Sequence, residues 1–292
     1  SVGFPGFWNY ILHFLLAFLG TMFLLRKLSI NKYGSLFGAL GFTLMPYMIT
    51  MVVHGHGSQM MTSAWIPWII LAIINLYNNV SIFNIGVLGA IVGFQMQRAH
   101  VQIAYYTWMA AGLLIVMLAF NIYGMNKNKF KWLLYTIFSF ILGLGMSMWI
   151  YLPALNYTPH SIRGASIDGG AGINYATAWS FSFTEMATFF IPSFYGFGGP
   201  TYWGKMPFTD YPNYMGILVF LFALFGVIYH KNKLKWYFLL TGLLALFLSF
   251  GKNFFLYEVF YNYFPYFNKF RVPSMFLILT QIIVEILYTL TI

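Results

Sequence analysis

"FQMQRAHVQIAYY", Phe94 to Tyr106, interrupts an apolar stretch that runs from residue 81 to residue 122, and Arg98, His100 and Gln102 fall close together within it. Read as one helix, the stretch would hold a permanent cation far from water, which costs several kcal/mol at a bilayer centre. Read as two spans joined by a turn, it places the three polar side chains at a membrane rim. The choice decides how many times the chain crosses, and the rest of the sequence favours the turn.

The 292 residues are 60% hydrophobic and 22% aromatic, and only 7% are charged. Soluble domains carry roughly 25% charged residues, so too few are present here to build a water-exposed surface. The composition predicts an integral membrane protein. A net charge of +10 could suggest nucleic-acid binding, but the basic residues are not spread as such a surface requires. Nine of the fifteen Lys and Arg lie in three short loops: Arg26, Lys27 and Lys32; Lys127, Lys129 and Lys131; Lys231, Lys233 and Lys235. No nucleic-acid partner is expected. With no cysteine, disulfides and thiolate metal sites are excluded.

A helix needs about 20 residues to cross the hydrocarbon layer. Apolar runs of that kind cover 8–26, 34–53, 59–77, 81–97, 101–122, 132–152, 214–229, 236–250 and 273–292. The predicted fold class is therefore all-α, a polytopic transmembrane helical bundle of about nine spans with a long, partly helical outer loop. Runs 59–77 and 81–97 could instead form one re-entrant hairpin. Nine spans put all three basic loops on one side, which the positive-inside rule makes cytoplasmic. The expected organisation is residues 1–152 as six spans, 153–213 as an extracytoplasmic loop, and 214–292 as three spans with an interfacial aromatic segment at 251–272. The start at Ser1 and the apolar end at "ILYTLTI" suggest an internal fragment of a longer protein.

The polar chemistry falls on the opposite, outer face. Four of the five acids, Asp168, Glu185, Asp210 and Glu258, lie there, and only Glu285 is inside a span. A loop as long as 153–213 is often functional. Within it, "SFTE" at Ser182–Glu185 reads as a capping box that opens a short amphipathic helix, with Met186, Phe189 and Phe190 facing lipid or core and Pro192 ending it. Asp168, Glu185 and Asp210 are candidate general bases, although capping alone would account for Glu185. His160, Ser161, Tyr202 and Trp203 could meet a substrate, the two aromatics by stacking on a sugar ring. Arg163 could clamp a phosphate bidentately or reach lipid headgroups. Paired glycines in this loop lack the Lys-Ser/Thr and strand context of a phosphate loop.

Two further rims stand out. "VVHGHGSQ" places His54 and His56 two residues apart, but a metal site needs at least a third ligand. No cofactor is expected, with a divalent metal left open. In "YFPYFNKFRVPSMF", Pro273 suits the first turn of the last helix. Lys269 and Arg271 precede the positive end of that helix, where cations are unfavourable unless an anion shares the site.

In order and spacing, "WNYILHFLLAFLGTMFLLRKL" (8–28), "AWIPWIILAI" (64–73), "HVQIAYYT" (100–107), "YLPALNYTPHSIRG" (151–164), "YPNYMGILVF" (211–220) and "FPYFNKFRVPSMF" (264–276) resemble the YfhO-type bacterial membrane proteins, which look like GT-C-type glycosyltransferases. The chain departs from that pattern at Val101, where the family often has proline after the histidine, and at Met275, where it often has a second arginine. The resemblance implies transfer of a sugar from a polyprenyl-phosphate donor to a cell-envelope polymer, lipid or protein on the outer face of the bacterial cytoplasmic membrane. It implies donor-phosphate contacts at Arg98, His100, Gln102, Arg163 and Arg271. The catalytic acid of such enzymes usually lies in the first outer loop, which would precede Ser1, so the fragment alone is expected to be inactive.

The alternative is a polytopic transporter or lipid-carrier flippase. Such proteins use broken helices and ionisable groups near mid-membrane. Glu285, a carboxylate inside a span, is the residue that speaks for it.

Overall fold

The computed structural model describes residues 6–120, 129–157, 160, 172–196, 198–209 and 211–291. These residues form helices, turns and no strand. The helices are α1 (Gly6–Lys27), α2 (Lys32–Leu44), α3 (Pro46–Val53), α4 (Gly57–Ser63), α5 (Ile66–Asn78), α6 (Ile82–Met96), α7 (Val101–Ala119), α8 (Lys129–Tyr157), α9 (Ile173–Ala176), α10 (Ile217–Tyr229), α11 (Leu234–Ser249), α12 (Phe255–Tyr263) and α13 (Leu277–Thr289). Five helical stretches are long and apolar enough to cross a membrane: 6–27, 32–53, 57–78, 101–119 and 129–157. Four shorter apolar helical segments accompany them at 82–96, 217–229, 234–249 and 273–289.

Local chemistry explains where the chain turns. Arg98 and Ala99 separate α6 from α7, and Ala99 takes a left-handed φ of 63°. His100 then caps α7, its Nδ1 accepting the Ile103 N–H at 3.3 Å. Asn31 caps α2 by accepting the Gly34 N–H at 2.9 Å. The 34–53 run, expected as one helix, is broken at Met45, where ψ swings to 146°. Pro46 is the reason, since it has no N–H to continue the α2 ladder and its fixed φ suits the first turn of a new helix. The last run also differs from expectation. Pro273–Phe276 forms a 3-10 turn, and the α-helix begins only at Leu277.

Small residues set the packing. Gly89 and Gly93 on α6 lie against the Ser139 and Gly143 carbonyls on α8, at four-residue spacing on both helices. A Cβ added to Gly143 would lie 2.6 Å from the Val92 side chain and 2.7 Å from the Gly89 carbonyl oxygen. The Ser139 hydroxyl donates to the Ile85 carbonyl at 3.0 Å, across the same seam. Small residues at this spacing let two apolar helices approach backbone to backbone. Gly143→Leu should therefore separate α6 from α8 and lower stability by about 2 kcal/mol or more, as overpacking does. Thermal unfolding in detergent reads this directly, with Gly145→Leu, whose Cβ would meet open space, as the neutral control.

At the other side of the bundle α13 packs against α2, α10 and α11. It is buried along almost its whole length, as a helix apolar all round must be. Glu285 is thus carried into the interior and not onto a lipid-facing surface.

Candidate functional site at the loop end of the bundle

Four segments that lie far apart in sequence meet at one end of the bundle. The rings of His54 and His56 pack edge-on against Tyr211, with centroids 6.3 and 5.8 Å away. The Val272 N–H donates to the Ala176 carbonyl at 3.0 Å, and the Ser274 N–H to that of Trp179 at 3.2 Å. The Phe181 N–H reaches the Ser249 carbonyl at 2.9 Å. Gln102, in the first turn of α7, donates through Nε2 to the Arg271 carbonyl and to the Tyr106 hydroxyl. The 54–56, 98–102, 172–215 and 249–276 segments therefore form one polar end.

Arg271 is held from two directions. Its backbone is tied to Gln102. Its guanidinium donates to the Tyr175 hydroxyl and lies 5.1 Å from that ring's centroid, a cation–π contact. The next residue, Val272, sits at φ 61°. A β-branched residue rarely adopts this conformation, and it persists only where surrounding bonds enforce it. The sequence suggested that an anion relieves the clash between Arg271 and the start of the last helix. In the structure Tyr175 provides part of that relief, while the planar fork retains donors for a bidentate oxyanion.

Arg98 is placed differently. Burial at the α6–α7 turn holds its guanidinium below the usual arginine pKa. Its Nε is buried with no hydrogen-bond partner among the described residues. It lies within electrostatic reach of His13 on α1. The Nδ1 of His13 is 2.6 Å from the Asn9 carbonyl and so carries the proton, which makes Nε2 an acceptor. That atom too is buried without a partner, as is Nε1 of Trp65, whose ring packs edge-on against His13 at 6.5 Å. Two donors and one acceptor are thus left open in one neighbourhood. Unmade hydrogen bonds of this kind cost about 1–3 kcal/mol each; a bound phosphate could accept from the two donors, and a hydroxyl could donate to the His13 Nε2.

Glu185 has another task. It is 1% exposed. Its Oε2 accepts the Ser182 N–H at 2.9 Å and the Ser182 hydroxyl at 2.7 Å, and its Oε1 accepts the Tyr202 hydroxyl. The Ser182 Oγ in turn lies 3.3 Å from the Glu185 N–H. This is the reciprocal capping geometry expected from the sequence, but the capped element is a 3-10 turn, Thr184–Phe189, in place of an α-helix. Phe189 faces neither lipid nor solvent. It stacks on Phe181 at 5.4 Å in a small core with Met206 and Phe250. With its oxygens engaged by three donors, Glu185 is a structural lock and is badly placed to take a proton from a substrate. Tyr202 is committed to the same lock, its hydroxyl pKa raised by burial and by the bond to Glu185. Trp203 remains 62% exposed beside Tyr195 and keeps a free face for a ligand.

His160, three positions past Tyr157 in sequence, is exposed. Asp168, Asp210, Ser161 and Arg163 lie outside the described residues. His54 and His56 are exposed, and among the described residues no group of three or more His, Asp or Glu is arranged to hold a metal.

The structure thus brings Gln102 and Arg271 together and sets Arg98 on the α1 side of the same turn. Reading the sequence alone missed His13, Trp65 and Tyr175. Asn9 and His13 do stand out as polar residues in an otherwise apolar run, four apart on one helical face. Nothing local marks Tyr175 among so many tyrosines.

No protein-family model matches the chain, and no curated protein or solved structure matches it either.

Proposed function

We propose that this chain is the membrane core of a glycosyltransferase that takes a sugar from a polyprenyl-phosphate donor. The transfer would occur at the outer face of the bacterial cytoplasmic membrane, with a cell-envelope polymer, lipid or protein as acceptor. The observation that carries the reading is the pair of arginines beside the first turn of α7. Arg271 is fixed through Gln102 and Tyr175, and Arg98 keeps an unpartnered, buried Nε–H. Two preoriented cations, one of them half-buried, suit a leaving group that gains negative charge as the sugar departs. The adjacent apolar helices suit a polyprenyl tail. Trp203, with its exposed ring, is a stacking surface for sugar or acceptor, and the resemblance to the YfhO-type proteins points the same way.

Right-side-out vesicles containing the full-length protein test this reading. A labelled sugar on a polyprenyl phosphate should be transferred to envelope material, and the same sugar supplied as a nucleotide should not. Equal transfer from the nucleotide sugar, or none from any lipid-linked sugar, contradicts the proposal.

One observation favours the second reading, a transporter or lipid-carrier flippase: Glu285 lies in a cavity beside the α2–α3 break.

A further inference from the structure

Behind the polar end, a cavity of about 210 Å³ is lined by Gly41, Met45, Pro46, Tyr214, Met215, Gln281 and Glu285. Its polar side chains are those of Tyr214, Gln281 and Glu285. Glu285 is 7% exposed and faces Gly41 so closely that a Cβ there would clash with its Oε2. No hydrogen bond or ion pair to its carboxylate is found among the described residues. Gln281, one helical turn earlier and 2% exposed, turns Nε2 toward the Asn213 Oδ1 at 3.4 Å, while its own Oε1 is buried without a partner. The helix break adds more. Pro46 has no N–H, so the Phe42 carbonyl loses its helical donor, and the negative end of α2 terminates at the cavity wall.

We propose that Glu285, Gln281 and the freed end of α2 form a binding site for a small monovalent cation, sodium being the expected occupant. A buried carboxylate with an unpartnered amide oxygen and helix-end carbonyls is an all-oxygen, single-charge ligand set. Broken helices in membrane proteins hold such ions in this way. An isolated carboxylate inside a bundle is otherwise costly, and a cation supplies the charge that no described side chain does. The single carboxylate disfavours a divalent ion, which ordinarily draws on more acidic ligands. Glu285 lies eight residues past the start of α13, about 12 Å along the helix. The site uses neither Arg98 nor Arg271, so it does not depend on the transferase reading.

The test needs no sugar donor. Purified protein in detergent is unfolded thermally in NaCl or KCl against N-methylglucamine chloride at equal ionic strength, and binding of radioactive sodium is measured in parallel. Sodium should raise the wild-type Tm saturably by a few degrees, because a ligand of the folded state stabilises it by mass action. Glu285→Gln should abolish both the shift and the binding. Gln281→Leu should weaken the apparent affinity by about tenfold, as loss of one partner in a metal site does. If Glu285→Gln fails to fold, Gln281→Leu and the wild-type curves decide. A wild-type Tm that ignores sodium, with no bound radioactivity, overturns the proposal. So does a Glu285→Gln protein that keeps the full shift.

Discussion

Alanine in place of Arg98 is expected to lower sugar transfer by the full-length protein about a hundredfold, the usual loss when one preorganised donor to a developing oxyanion is removed. The guanidinium sits half-buried at the α6–α7 turn, where water screens it poorly, and its Nε has no partner among the described residues to be left stranded by the substitution. Folding should therefore be largely spared while turnover falls. Arg271→Ala should show a similar loss of transfer and also a drop in stability, because the guanidinium bridges to Tyr175. Lysine at either position should recover little, since a point charge cannot offer two parallel N–H donors to one phosphate. Initial rates with a labelled lipid-linked donor, measured beside thermal unfolding, separate the two effects. Normal transfer by Arg98→Ala and Arg271→Ala together would remove the basis of the phosphate assignment, and Arg163→Ala, beyond the described residues, extends the same comparison.

The second large effect is on stability. Glu185→Ala should cost about 3 kcal/mol, because it leaves the Ser182 N–H and hydroxyl and the Tyr202 hydroxyl without their shared acceptor. Hydrogen bonds to a charged group are worth about 1.5–3 kcal/mol each, and buried orphans add a penalty. Tyr202→Phe removes one of the three donors and should cost a fraction of that, about 1 kcal/mol. Gly204→Ala should also destabilise, since a Cβ there would clash with the Tyr202 Oη and lie 2.5 Å from the Glu185 Oε1. Denaturation midpoints of the three variants give the order directly. If Glu185→Ala unfolded like wild type while transfer vanished, Glu185 would have to be moved from the lock to the reacting groups.

Much of this architecture is legible from composition and punctuation. The polar interruption at Arg98–His100 is the turn between α6 and α7, because a cation and a helix-capping histidine both do better at a helix end than inside a span. The Ser182–Glu185 box is legible because its bonds are local. Pro46 carried the signal for the break between α2 and α3, but the apolar run around it masked that signal. The Gly89–Gly93 seam was equally visible as a spacing, yet its meaning depends on Ser139 and Gly143 lying opposite, which only packing decides. The site itself was less legible. Arg271 reaches Tyr175 across ninety-six positions, and Gln102 reaches Arg271 across a hundred and sixty-nine; no local pattern encodes such pairs. Glu285 was conspicuous in sequence, but its cavity arises from the proline break and from Gly41, which lie elsewhere in the chain.

Everything proposed for the transfer reaction turns on Arg98 and Arg271 holding the phosphate of a lipid-linked sugar. Binding of a labelled polyprenyl phosphate to the purified protein, compared with the corresponding polyprenol, tests it most directly. Saturable binding of the phosphate is expected, with weak binding of the alcohol and loss of the difference in the Arg98→Ala, Arg271→Ala double variant. Equal binding of phosphate and alcohol by the wild type, or an unchanged preference in the double variant, would contradict it.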